Sequence, residues 1–152
     1  MPARVRTVTR AACVSPRLPD VTRRSPLPIE QWTDPRQVRG ARGEERAAAW
    51  LAERGWQVLA VRFRVGRHDL DLIARQGDLV AFIEVKTRSP NRVGDGREAV
   101  GWRKQQRVGR LAEVWRARHG RPGCRYRFDV ITVAEGRPNG VVHIPDAWRV
   151  FR

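Results

Sequence analysis

The segment 68–89, HDLDLIARQGDLVAFIEVKTRS, contains two β-like runs separated by a short polar turn. The first run spans 69–74 and the second spans 79–86, and both are rich in the apolar and branched residues typical of strands. The glycine in the turn favours a tight connection between them. The pattern therefore predicts a β-hairpin, which limits the choice of folds more than any other part of the chain.

The assumed loop determines which side chains of the hairpin are neighbours. If residues 76–77 form a two-residue loop, Asp69 faces Glu84 directly and Asp71 is the diagonal neighbour of Glu84. Lys86 follows two residues later on the same face, whereas a three-residue loop would turn Asp71 to the opposite face. The predicted register gathers three carboxylates and one ammonium at one end of the hairpin. The other face is expected to be buried and consists of Leu70, Leu72, Ala74, Leu79, Ala81, Ile83 and Val85.

Composition indicates one basic domain. The 152 residues suit a single domain, and the net charge of +15 favours polyanionic partners, nucleic acid before acidic membrane surfaces. An arginine-rich proteome would explain part of this excess, because all but two of the 31 basic residues are arginine. Lys86 and Lys104 are the two lysines, and they mark positions where a compact ammonium with an adjustable pKa would be required.

The first 38 residues differ in composition from the rest of the chain. Residues 1–38 contain most of the ten prolines and many arginines without hydrophobic periodicity, which is typical of a disordered basic arm. We therefore assign residues 39–152 to one folded domain. Because no apolar run has the length of a membrane span and Cys13 and Cys124 have no metal-ligand spacing, we expect a cytoplasmic protein that does not bind membranes.

Periodicity and breakers divide the domain into alternating helices and strands. The order α-β-β-β-α-β-β predicts an α/β fold with a central mixed sheet flanked by helices. The predicted elements are a helix (40–54), a strand (56–64), the hairpin (69–86), a loop rich in breakers (88–97), a helix (98–119) and two strands (124–133 and 141–144).

Two charged residues lie in line with the apolar faces of the predicted helices. Glu44 shares a face with Ala47 and Leu51 in the first helix. The alternative is an exposed first-turn glutamate that interacts with the helix dipole. Lys104 lies one turn before Val108 on the apolar stripe of the second helix, so we expect it to point inward or towards a cleft.

The charged end of the hairpin has the composition of a hydrolytic metal site. Converging carboxylates require a neutralising cation, and oxygen ligands without His or Cys favour Mg²⁺ or Mn²⁺ over zinc. A bound metal activates water and polarises a phosphoryl oxygen, while a nearby lysine stabilises developing charge. We therefore predict Asp71, Glu84 and the Val85 carbonyl as metal ligands. Glu44 would approach the same site from the first helix, and Lys86 would supply the ammonium.

Each of these residues also has a simpler explanation when it is taken singly. Glu84 and Lys86 could form a solvated pair on an outer strand, which would contribute little to stability. Asp71 could be an ordinary polar residue of a half-exposed strand. Asp129 follows two arginines, and we interpret it as an ion-pair or strand-end hydrogen-bond partner rather than a ligand.

Several segments match one family in the same order over about residues 39–149: GARGEERAAAWLAERGWQVLAVRFR, DLDLIA, FIEVKTRS, RKQQRVGRLA and RFDVITV. Together they resemble the YraN-like family of uncharacterised bacterial proteins. That family looks like a branch of the restriction-endonuclease-like nuclease superfamily, whose site motif is D…(D/E)xK, and is similar to archaeal Holliday-junction resolvases. The resemblance implies a restriction-endonuclease-like αβββαβ core, a divalent-metal site and nucleic-acid binding.

The resemblance assigns roles to individual residues. The motif Asp, Glu and Lys fall on Asp71, Glu84 and Lys86, and the helix Glu of the resolvase-like branch falls on Glu44. The chain departs from the family pattern without losing a motif residue. It has His68-Asp69 where the family usually has Gly-Glu, Arg62 in place of the usual Asn, and Trp148 in place of Phe.

From these observations we expect a Mg²⁺- or Mn²⁺-dependent endonuclease that hydrolyses DNA, with branched or structured DNA as the substrate class implied by the resemblance. A binding module of the same fold that acts with a DNA-processing partner is the alternative, and a basic protein with a purely structural ion-pair network is a third. A homodimer is suggested only by analogy with resolvases. Phosphate contacts are expected from Arg62, Arg64, Arg88, Arg92, Arg103, Lys104 and Arg107.

Overall fold

The computed structural model describes residues 29–90 and 100–150. The helices and strands follow the predicted order, so the α/β fold with a mixed sheet is confirmed. Their bounds are a short 3₁₀ turn (Ile29–Gln31), α1 (Pro35–Glu53), β1 (Gln57–Val65), β2 (His68–Gln76), β3 (Leu79–Arg88), α2 (Trp102–His119), β4 (Arg125–Ala134) and β5 (Val141–Trp148). Of the predicted phosphate contacts, Arg92 lies outside the described residues.

The five strands form one sheet in the order β1-β2-β3-β4-β5. β3 and β4 are parallel, and the other neighbouring strands are antiparallel. The parallel pair requires a long connection, and α2 lies within it, as expected for a crossover between parallel strands. The elements α1, β1, β2, β3, α2 and β4 thus form the predicted αβββαβ core, and β5 extends the sheet at its edge.

The hairpin of β2 and β3 is buried on both faces, whereas the sequence predicted one buried face. Ala47 and Leu51 of α1 pack against one face of the sheet. Val108 and Trp115 of α2 pack in the core on the other face, where Phe82 of β3 is fully buried. The prediction was incomplete because a strand covered by helices on both sides needs no polar face.

The loop of the hairpin is Gly77-Asp78, one residue later than predicted, because Gln76 pairs with Leu79. Gly77 has a φ of +62°, which a glycine adopts without strain, and the carbonyl of Asp78 accepts a hydrogen bond from the amide of Arg125. The pairing therefore shifts by two residues from the predicted register. An even shift preserves the faces of the paired residues, so Ala74, Ala81 and Ile83 share one face with Leu72 as predicted, whereas Leu70 packs on the other face.

Helix α1 begins earlier than the sequence predicted. The side chain of Asp34 accepts a hydrogen bond from the Arg36 amide at 2.9 Å, and Pro35 follows Asp34 in the first turn. Both features are typical of a helix N-terminus, so α1 begins within the segment that composition assigned to the arm. Helix α2 begins later than predicted, at Trp102, after Gly101 as its N-cap. Neither helix is long and apolar enough to cross a membrane.

Candidate active site

Strands β2 and β3 separate within the sheet. Their pairing ends at Leu72 and Ile83. Beyond that point β2 remains paired with β1 as far as His68, and β3 remains paired with β4 as far as Arg88. The sheet therefore contains an opening between its second and third strands, with continuous pairing on both outer sides.

Asp71 and Glu84 are the first residues beyond this separation. The backbone amide of Val85 donates a hydrogen bond to Oδ2 of Asp71 at 2.8 Å. A side-chain oxygen of β2 thus satisfies an amide that points towards β2 but has lost its backbone partner there. Asp71, Glu84 and Val85, three of the residues predicted to hold a metal, meet at this one position.

The regular alternation of the strands is also broken beside the site. Leu72 packs in the α1-side core, while Leu70 packs in the α2-side core. Val61 of β1 pairs with Leu72, and Phe63 pairs with Leu70. Arg62 and Asp71 lie between these two pairs, and neither has a strand-pairing partner of its own. Arg62 has a φ of +54°, which costs a non-glycine residue energy. This irregularity explains how Asp71 can lie at an opening rather than in either core.

Glu84 is a buried carboxylate with two different oxygen environments. Its side chain is only 2% exposed, and Oε1 contacts Nζ of Lys104 and lies 3.8 Å from Nζ of Lys86. Oε2 is buried and accepts no hydrogen bond from the described residues while both carboxylates are ionised, and the carboxyl group of Asp71 is its close acidic neighbour. Such an orphaned acceptor is unfavourable in a folded protein unless a further group binds it.

The charges of the site shift one another's pKa values. Burial, followed by the negative charge of Glu84, raises the pKa of Asp71 well above its usual range. Burial and the neighbouring ammonium of Lys104 lower the pKa of Lys86. Burial opposes the charged form of Lys104 as well, but the carboxylate of Glu84 outweighs it and raises the pKa of Lys104. The two lysines therefore differ in how firmly they hold their protons.

Glu44 is buried in α1, but its carboxylate is paired with Arg62 rather than pointing freely into the opening. Nε of Arg62 lies 2.6 Å from Oε2 of Glu44, and the guanidinium stacks 5.0 Å from the ring of Trp32. Burial raises the pKa of Glu44, partly offset by Arg62. Arg62, predicted to contact phosphate, instead neutralises this carboxylate. Glu44 is still close enough for its charge to raise the pKa of Asp71.

The other predicted phosphate-binding residues differ in exposure. Arg64, Arg103 and Arg107 are exposed, and Arg88 is partly buried. Lys104 was included in that strip, but its ammonium lies on Glu84 inside the opening. The signal for this contact was present in the sequence, since Lys104 is one of two lysines and follows the apolar stripe of α2.

A third buried carboxylate, Asp129 of β4, belongs to a separate cluster. It forms a two-point ion pair with Arg127, with N–O distances of 2.7 and 2.8 Å. Nε2 of His143 lies 2.7 Å from Oδ2, and the Asp146 amide donates to Oδ1 at 2.9 Å. The interpretation of Asp129 as an ion-pair partner is confirmed. Both of its oxygens have hydrogen-bond partners, unlike Oε2 of Glu84, so it does not resemble a vacant metal ligand.

The donor set at the opening fits a hard divalent cation. Within residues 29–90 and 100–150, no three His, Cys, Asp or Glu side chains form a ready-made ligand cage. Mg²⁺, however, is usually bound through one or two carboxylates, with water and substrate phosphate completing its shell. Asp71 and the orphaned Oε2 of Glu84 provide such a pair.

Comparison with known proteins shows close relatives. A UPF0102 protein of Anaeromyxobacter dehalogenans is 41% identical over 117 residues, covering 76% of this chain and 87% of that protein. UPF0102 proteins of Nocardia farcinica and Halorhodospira halophila are 44% and 47% identical over 98 residues, covering 64% of this chain and 77% and 78% of the relatives. Residues 43–133, which include the whole opening between β2 and β3, match the family described as "Uncharacterised protein family UPF0102". The chain therefore belongs to UPF0102, the YraN-like family that its motifs resemble.

Proposed function

We propose that this protein is a divalent-metal-dependent nuclease that hydrolyses phosphodiester bonds in DNA. The observation that carries the proposal is the position of Asp71 and Glu84 at the separation of β2 and β3, with Oε2 of Glu84 buried and unpartnered. A buried carboxylate oxygen without a partner, next to a second carboxylate, is costly to the fold. A site that binds a cation during function accounts for this cost.

Asp71 and Glu84 would hold the ion, and the Val85 carbonyl stays our predicted third ligand. A bound Mg²⁺ or Mn²⁺ would supply Lewis-acid polarisation of the phosphate and acidification of a water molecule. The Val85 amide has a distinct role, because its hydrogen bond to Oδ2 fixes the orientation of the Asp71 carboxylate. Fixed ligands of this kind reduce the reorganisation needed during reaction.

Lys86 is suited to act on the attacking water. Its Nζ lies 3.8 Å from Oε1 of Glu84, and its side chain is 27% exposed, so the ammonium is within the site and accessible to solvent. Burial and the ammonium of Lys104 lower its pKa, which makes Lys86 a readier proton donor to a bound water or phosphate oxygen than an ordinary lysine. We assign to Nζ of Lys86 the orientation of the water and the stabilisation of charge on the phosphate.

The surface beside the site supports a polyanionic substrate. Arg103 and Arg107 are exposed on α2, which also carries Lys104, and Arg64 is exposed on β1. The net charge of +15 adds a long-range attraction to nucleic acid. Such contacts position a backbone without reading sequence, which suits a substrate recognised by shape, such as branched DNA.

Cleavage of labelled linear, flapped and four-way-junction DNA tests this proposal. The wild type should cut at least one of these substrates with Mg²⁺ or Mn²⁺, and not with EDTA. Asp71→Asn should abolish cleavage with folding intact, and Lys86→Ala should reduce the rate about 100-fold or more. Asp69→Asn makes the same chemical change at an exposed neighbour and should retain activity within a few fold. Equal cleavage by wild type and Asp71→Asn would reveal a contaminating nuclease.

The ion pairs that the carboxylates form with basic side chains support a second candidate function, a module that binds DNA without cleaving it. Glu84 is already neutralised by Lys104, and Glu44 by Arg62, so the fold has cations of its own at both positions. Such a module would bind DNA with strong salt dependence, and Asp71→Asn would leave affinity unchanged. Binding without cleavage of any substrate, together with no metal-induced rise in Tm, would favour it over the nuclease.

A further inference from the structure

The two lysines of this chain contact the same carboxylate. Lys86 follows Glu84 by two residues in β3, whereas Lys104 comes from the first turn of α2, and both ammonium groups lie near Oε1. All other basic residues in the chain are arginine. The two lysines of an otherwise arginine-rich chain therefore both lie beside Oε1 of Glu84 in the candidate site.

A lysine at position 104 has properties that arginine lacks. The ammonium is a compact point charge that occupies about one cation's position, while the guanidinium is a planar fork that spreads its charge over a larger group. Glu84 is 2% exposed, but the side chain of Lys104 is 37% exposed, so Lys104 enters from the solvent side of the opening. An ammonium here fills a space comparable to that of a bound cation next to Oε1.

The two oxygens of Glu84 have different environments. Oε1 carries the ammonium of Lys104, and Oε2 has no partner within the described residues. A nuclease site that used two metal ions would need carboxylate oxygens for both of them. In this site only one side of the Glu84 carboxylate is left open.

We propose that Lys104 acts as the second cation of the site, so that the protein takes a single divalent ion between Asp71 and Oε2 of Glu84. The proposal rests on the nuclease function inferred above. Lys104 forms no covalent bond and transfers no proton in this role. Its ammonium remains charged, keeps Glu84 in position and lies where it can contact a phosphate oxygen of the substrate.

Metal stoichiometry tests this proposal without relying on activity. Titration of the full chain with Mn²⁺, followed by calorimetry and by the electron paramagnetic resonance of free Mn²⁺, should give one bound ion for the wild type. Lys104→Met should bind a second ion, because Oε1 then loses its close cation contact and keeps only Lys86, whose Nζ lies 3.8 Å away. Arg103→Met removes the same charge from the adjacent exposed position of α2 and should still bind one ion.

Cleavage provides an independent readout. Lys104→Met should lower the rate about 100-fold at low Mg²⁺, and the rate should recover at high Mg²⁺ with a Hill coefficient that rises from near one towards two. Lys104→Arg should not restore the wild-type rate, since the guanidinium does not occupy the same space. Circular dichroism and Tm confirm that each variant is folded.

The outcomes separate this inference from the proposed function. If the wild type bound two ions of similar affinity, the proposed role of Lys104 would be wrong while the nuclease proposal would stand. This measurement needs only the wild type, so it remains decisive if Lys104→Met does not fold. The role of Lys104 would also be wrong, and the nuclease proposal would stand, if folded Lys104→Met kept the wild-type stoichiometry and rate. A wild type that bound no Mn²⁺ and cut no substrate would overturn both.

Discussion

The amide of Val85 donates a hydrogen bond to Oδ2 of Asp71 at 2.8 Å, across the point where β2 and β3 cease to pair. This single contact joins fold and site, because it satisfies a backbone amide and orients a candidate metal ligand at once. The bond requires an acceptor oxygen on residue 71, and it does not require a charge. Structural and chemical roles of Asp71 can therefore be separated by substitution.

Asp71→Asn should stabilise the protein and inactivate it. Burial and Glu84 raise the pKa of Asp71 in the folded state, so its carboxylate weakens the fold as pH rises above the unfolded-state pKa. The amide oxygen of Asn still accepts from Val85. We expect Tm at pH 7 to rise by about 4 °C, with the difference disappearing below the usual titration range of aspartate. An unchanged or lower Tm at pH 7 would contradict this account.

Arg62→Ala should destabilise the fold by about 2 kcal/mol, because it leaves Glu44 buried without its partner. Adding Glu44→Gln should recover at least half of that loss, since the uncompensated charge is then removed. The backbone cost at Arg62 is similar in all of these variants, as alanine is also disfavoured at positive φ. Urea unfolding of the wild type, the two single variants and the double variant measures these free energies. Exposed Arg64→Ala is the control, and a loss at Arg62 no larger than at Arg64 would refute the pairing argument.

Gly43→Ala and Gly40→Ala should have opposite effects although both glycines lie in α1. A Cβ at Gly43 would overlap Oγ1 of Thr87 in β3, whereas a Cβ at Gly40 would meet nothing within 4 Å. We expect Gly43→Ala to cost about 1–3 kcal/mol and Gly40→Ala to add about 0.5–1 kcal/mol through helix propensity. Chemical denaturation of both variants tests the close approach of α1 to the sheet. Equal stabilisation by both would show that this approach is not tight.

Asp129→Asn should destabilise the protein at neutral pH and much less in acid. Burial alone would raise the pKa of Asp129, but hydrogen bonds from His143 and Arg127 outweigh it and lower the pKa. A carboxylate of this kind contributes stability above its unfolded pKa and loses it as pH falls through the folded pKa. We expect a loss of about 3 kcal/mol at pH 7, shrinking towards pH 3.

Urea unfolding at the two pH values measures this difference. Asp146→Asn is a suitable control because Asp146 is exposed, its partner Arg149 is exposed, and the backbone amide that donates to Asp129 is retained. It should change stability little at either pH. A loss for Asp129→Asn that was independent of pH would show that packing, rather than charge, dominates at this position.

The order of helices and strands could be predicted from the sequence because it depends on local patterns. The helix stop at Gly120 and the β-rich runs on either side of Gly77 depend on residues close in the chain. The earlier start of α1 also had a local signal, the Asp34-Pro35 pair, but composition assigned it to the arm. Local propensity accounts for these elements because their hydrogen bonds and caps are satisfied within a few residues.

The loop of the hairpin was misplaced by one residue, and yet the faces of the residues that pair, 72–76 with 79–83, were predicted correctly; only beyond the pairing does Leu70 lie on the other face. The pairing moved by two residues, and side chains alternate with a period of two. Asp71 and Glu84 consequently became closer neighbours than predicted, because they directly follow the last pair, Leu72 with Ile83. A predicted hairpin can thus bring the correct residues together even when its predicted register is wrong.

By itself, the sequence determined the element order, the family, and the candidates Asp71, Glu84 and Lys86, because these depend on short-range periodicity and on motif spacing. The sequence pattern did not predict where β2 and β3 separate, that Arg62 pairs with Glu44, or that Lys104 contacts Glu84, which the folded chain shows. Those relationships join residues that are distant in the chain. They exist because the parallel pairing of β3 with β4 and the packing of a helix on each face bring separate segments to one opening.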